Sequence, residues 1–171
     1  ASRATRDIVI DSDAAPLRPT FHWPLPDALR GGFNAASLAL GAEPVASPGV
    51  SEKQFEEMSR LFDSLARIGH WTEFKVPFNR GEDIAMGQPT VRLAGDEPVP
   101  VRGFLINTTA SLSPVYFLHD FAVELSMDGQ TFERVLEATL QPLPMEQAFV
   151  LSAPVEARYA RLVPLTTAFS S

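Results

Sequence analysis

The sequence predicts an all-β protein, a β-sandwich or barrel of about eight antiparallel strands with one helix at 51–68. Three observations predict it. The stretch Phe117–Leu136 (FLHDFAVELSMDGQTFERVL) splits into two apolar-alternating runs joined by Asp128-Gly129. In the first run Phe121, Val123 and Leu125 point one way and Ala122, Glu124 and Ser126 the other, the period of two of a half-buried strand. Asp-Gly accepts positive φ and suits a tight hairpin, after which Phe132 and Val135 return towards a core. Second, further short apolar runs recur along the chain between Gly, Pro and Asp turns. Third, only one segment has a sustained helical period.

In chain order, Asp7–Ile10 suits one short strand. Pro16–Pro26 (PLRPTFHWPLP) has four prolines, which exclude a helix interior or a central strand. Residues 1–33 therefore read as an extended arm, with Phe21 and Trp23 as packing side chains and Gly31-Gly32 as its end. The body is expected at 34–171. Ala36–Leu40 is expected as its first strand, followed by a loop with Pro44, Pro48 and Gly49. Ser51 with Gln54 fits a capping box at the start of the helix. Phe55, Met58, Leu61, Phe62, Leu65 and Ile68 form its apolar face, and Gly69 its stop. His70–Pro77 alternates, with Trp71, Phe74 and Val76 on the core side. Asn79–Pro89 is a polar loop. Thr90–Leu93 and Val99–Thr108 are expected as strands around a GDEP turn, and Thr109–Pro114 as a loop. After the hairpin come a turn at 141–144, a strand at Ala148–Leu151 and a last strand at Arg158–Val163.

Composition narrows function by exclusion. The 171 residues are 45% apolar and 20% charged, ordinary for a globular domain. The formal charge of −7 with scattered basic residues argues against tracking a nucleic-acid backbone or anchoring to anionic lipid. The absence of cysteine removes disulfides and thiolate zinc sites. No run approaches the ~20 apolar residues of a membrane span, so no membrane insertion is expected. Ala1–Asp13 lacks signal-peptide character, and the chain lacks an initiator Met. It reads as a mature form or a segment of something longer.

Motifs for phosphate loops, zinc proteases and serine hydrolases are missing. His22, His70 and His119 stand apart in sequence. His119-Asp120 reads as a polar strand start facing solvent, Trp71 as core, and Asp11-Ser12-Asp13 as a turn. The loops are better ligand candidates, because hydroxyl-rich ligands want planar apolar surface beside hydrogen-bonding groups. Asn79, Arg80, Glu82 and Asp83, with Met86 and Gln88, form one such group; Tyr116 is the aromatic candidate. Taken alone, either loop also fits a solvated turn.

Several pieces, in order over about 34–165, resemble the discoidin-like (coagulation-factor type-C, galactose-binding-like) domain. They are SLALGAEPVAS (37–47), LFDSLARIGHW (61–71) with TEFKVPF after it, VRGFLI (101–106), DFAVELSMDGQTFERV (120–135) and ARYARLVP (157–164). The resemblance implies a jelly-roll β-sandwich and a binding module without catalysis. Many members bind sugars through loops at one end, and bacterial ones are often appended to carbohydrate-active enzymes; others bind protein or phospholipid or are structural. It implies a structural calcium in many sugar-binding members; Asp63 matches the aspartate of that segment, and Ser64 replaces its glycine. No other cofactor is expected. The expectation is a non-catalytic carbohydrate-binding module of a larger exported or cell-envelope protein, of bacterial type, at an extracellular, periplasmic or cell-surface location. The alternative is a structural or protein-contacting domain packed against a neighbouring domain or partner.

Overall fold

The computed structural model describes residues 25–47, 50–62, 87–108 and 118–166. Seven strands lie among them: β1 (Glu43–Val45), β2 (Thr90–Arg92), β3 (Val99–Asn107), β4 (Asp120–Ser126), β5 (Glu133–Thr139), β6 (Glu146–Ala157) and β7 (Tyr159–Pro164). They form a five-stranded sheet in the order β1-β2-β7-β4-β5 and a two-stranded sheet of β3 and β6. Every pairing is antiparallel. The architecture is the expected all-β sandwich.

The sandwich is held by the faces the alternation marks. From the larger sheet, Val91 and Leu125 meet Val101, Phe104 and Val155 of the smaller one. Beside them Phe121, Val123 and Leu140 meet Phe104, Ile106 and Phe149. Phe121 has no exposed surface and meets Phe149 edge-on, with centroids 5.1 Å apart at 78°. Burying such a ring stabilises the fold by about 1.5–3 kcal/mol. β4 differs from the expected half-buried strand, since Ala122 on its opposite face is equally buried. The remaining charge on that face is neutralised. Glu124 is 3.8 Å from Arg161 and 3.5 Å from Arg134. The Arg161 guanidinium lies 3.5 Å over the Phe132 ring, and its Nε donates to Thr90 Oγ1. Burial pushes the Arg161 guanidinium down and Glu124 opposes this. Phe132 thus lids a charge on the outer face rather than returning to the core.

The hairpin forms as expected. Asp128 Oδ1 accepts from the Gln130 and Thr131 amides, each at 2.8 Å, and from Ser126 Oγ. Gly129 takes a φ of 74°, with the Tyr159 ring 3.0 Å from where a Cβ would sit, so both conformation and space call for glycine.

Four expected element placements also need correction. Ala36–Leu40 is not a strand: Leu38–Leu40 is a 3-10 turn closed by Gly41 at a φ of 95°. The first strand follows at β1, which contains Pro44 and tolerates it as an edge strand. The strand expected at Ala148–Leu151 runs from 146 to 157. Pro154 falls where the register slips between Val101↔Val155 and Gly103↔Val150, so its missing amide breaks no regular ladder bond. The last strand begins at Tyr159, with Arg158 in the connection. The described part of the helix is broken into α1 (Glu52–Glu57) and α2 (Ser59–Phe62). The break is at Met58, where short-range bonds Met58 N→Phe55 O and Leu61 N→Met58 O tighten the chain. Met58 is fully buried, whereas Phe55 and Leu61 stay partly exposed. The expected Asp7–Ile10 and His70–Pro77 strands lie outside the described residues.

Candidate functional site

Each ligand candidate, Asn79, Arg80, Glu82, Asp83 and Tyr116, lies outside the described residues, as do Asp63, Trp71, His22 and His70. The described residues that bound the two candidate loops are informative. The first loop ends at Pro89, whose carbonyl accepts from Leu162 N at 2.9 Å, and β2 starts at the next residue. After the second, expected at Thr109–Pro114, the described residues resume at Leu118, and β4 starts at Asp120. β2 and β4 flank β7 on either side and both run antiparallel to it. Thr90 is opposite Arg161 and Phe121 opposite Pro164. The two strands therefore run in the same direction from one end of the sheet, with one strand between them (roughly 10 Å across), and β4 starts about three residues further towards that end.

That end is braced. Thr108 Oγ1 donates to the Leu143 and Met145 carbonyls, tying the end of β3 to the turn before β6. The Gln147 side chain exchanges two hydrogen bonds with the Gln141 backbone, each 2.9 Å, across the same turn. Leu143 is left about half exposed at its tip.

His119 and Asp120 sit at this end as a partly exposed polar strand start, and their side chains are also tied into a network. The Asp120 carboxylate accepts from Thr139 Oγ1 at 2.6 Å and Thr166 Oγ1 at 2.7 Å, and lies 3.4 Å from His119 Nδ1. The Thr139 and Thr166 bonds, in that order, hold its carboxyl below the usual range; desolvation opposes them and His119 adds to them. The network fastens the start of β4 to the end of β5 and to the segment after β7. Its partners are 19 and 46 residues from Asp120, so no local motif announces it.

Among the described residues, no group of three or more His, Asp or Glu is placed to hold a metal ion, and Asp63 is not among them. No described helix is long and apolar enough to cross a membrane. At the opposite end, beside the hairpin, lies a depression of about 220 Å³ lined by residues of β4, the hairpin, β5 and β6.

No family model and no curated protein sequence matches the chain. Solved structures do. A family 32 carbohydrate-binding module from a family 31 glycoside hydrolase of Clostridium perfringens superposes with a TM-score of 0.54 at 13% identity, over 74% of this chain and 79% of that one. Allantoicase from Saccharomyces cerevisiae gives 0.56 at 14%, over 78% of this chain and 39% of that one. A second allantoicase structure gives 0.56 at 13%, over 82% and 41%. The chain thus spans about two fifths of allantoicase and most of the module. These likenesses establish the architecture: the chain has the jelly-roll β-sandwich fold of the discoidin-like domains, as found in family 32 carbohydrate-binding modules.

Proposed function

We propose that the chain is a non-catalytic carbohydrate-binding module of a larger exported or cell-envelope protein. It takes a glycan on the loops at the end of the sandwich where β2 and β4 begin. The observation that carries this reading is the fold shared with a carbohydrate-binding module along most of that module's length. Two further features support the reading. The two candidate loops, one with Arg80 and the other followed by Tyr116, lead into β2 and β4, which both begin towards one end of the sheet. That end rests on a cross-braced frame, which suits loops that must present groups without collapsing.

The test is a glycan-array screen of the chain, followed by affinity electrophoresis of Arg80→Ala and Tyr116→Ala on the best ligand. Binding is expected, with each substitution weakening it about tenfold. Silence across acidic, neutral and fucosylated glycans contradicts the reading. Binding that neither substitution weakens contradicts the loop assignment.

One observation favours a second reading, a domain that packs on a neighbour. Leu105 and Val150, on the outer face of the β3–β6 sheet, are 47% and 41% exposed. Leu29 of the N-terminal segment already packs beside them, over Gly103. An apolar face of this kind suits a protein contact. A silent glycan screen combined with a co-purifying protein favours this second reading.

A further inference from the structure

The depression beside the hairpin has an apolar floor and an acidic rim. Leu125, Val135 and Val155 converge there from β4, β5 and β6 and pack in one cluster. Asp128, Glu133 and Glu156 line it as well, and among the described residues no basic one does. Elsewhere on the sheets the acids are matched: Glu43 pairs with Arg92, Glu124 with Arg161, and Glu137 with Arg134. Among the described residues Glu133 and Glu156 have no such partner. The Asp128 carboxylate is engaged by its own turn, through the Gln130 and Thr131 amides and the Ser126 and Thr131 side chains, which leaves Glu133 and Glu156 as the unmatched acids of the rim.

We propose that this groove is a second binding site, one that takes the arginine or lysine side chain of a basic segment on a protein partner. Those side chains pair an apolar stem with a cationic head, so the stem covers the floor while the head meets the rim. The rim carboxylates only accept hydrogen bonds, which matches a guanidinium or ammonium that only donates. The net charge of −7 steers such a partner towards the chain. The groove lies at the far end of β4 from the proposed glycan loops, about 20 Å away for a seven-residue strand. The two sites are therefore independent.

The test is a titration of the isotope-labelled full chain with acetyl-Gly-Arg-Arg-Gly-amide at low salt, followed by amide shifts. The control peptide carries citrulline in place of arginine. Shifts are expected at 125–128, 133–135 and 155–156 with the arginine peptide alone. The double variant Glu133→Gln, Glu156→Gln keeps the remaining spectrum and binds about three- to tenfold more weakly. The proposal is overturned by any of four results: no shifts, shifts scattered over the acidic surface, equal binding of the citrulline peptide, or undiminished binding by the double variant. Glycan-induced shifts at these amides, without arginine-dependent ones, also overturn it by assigning the groove to sugar.

Discussion

Asp128 shows how one residue fixes a turn. Its carboxylate collects the Thr131 and Gln130 amides and the Ser126 hydroxyl, which hold its pKa at about 2 against an ordinary 3.8. A depressed carboxylate contributes stability above its unfolded pKa and loses it as pH falls through the folded one. The window is therefore about pH 4 down to about 2. Asp128→Asn should lower Tm at neutral pH, and the gap from wild type should close across that window. Calorimetry at stepped pH checks this; a gap that persists to pH 2 contradicts it. The Asp-Gly pair was legible because turn chemistry is local. The Asp120 network was not, because Thr139 and Thr166 reach it only once β5 and β7 are paired with β4.

At the scale of elements, period-two alternation located β2, β3, β4 and β7 to within a few residues, because each buries one face against the other sheet. It misplaced β1, since SLAL alternates too weakly to separate a strand from a 3-10 turn, and Gly41 and the edge position of Pro44 decided between them. It also cut β6 short, because Pro154 is accommodated at a register slip that sequence does not show. That slip concentrates constraint at Gly103. A Cβ there would meet the Phe149 carbonyl oxygen and lie 2.9 Å from Leu29 Cδ2. The Leu29 side chain can turn aside, but the Phe149 oxygen cannot, since it is backbone in the paired strand. Gly103→Ala should therefore cost about 1–3 kcal/mol by overpacking. Urea unfolding should show a lower midpoint with an unchanged m-value; a midpoint equal to wild type contradicts the crowding.

Taken whole, the molecule is a sandwich with two chemically different ends. One gathers the starts of β2 and β4, the braced turn at 141–145 and the bounds of both polar loops. The other has the hairpin, an apolar groove and unmatched carboxylates. The sandwich itself was legible from alternation and turn spacing. The division between ends was not, because it depends on which strands are neighbours. The candidate loop residues were chosen by chemistry alone, and they remain a proposal resting on where their loops are bounded. The central claim, that glycan binds at the β2–β4 end, is tested most directly by mapping amide shifts on the labelled chain as it is saturated with its best array ligand. The account predicts the largest shifts among described residues at Gln88, Thr90, 118–120, Gln141 and Leu143, with 127–131 unmoved. Shifts centred on the hairpin groove or on the outer face of β3 and β6 contradict it.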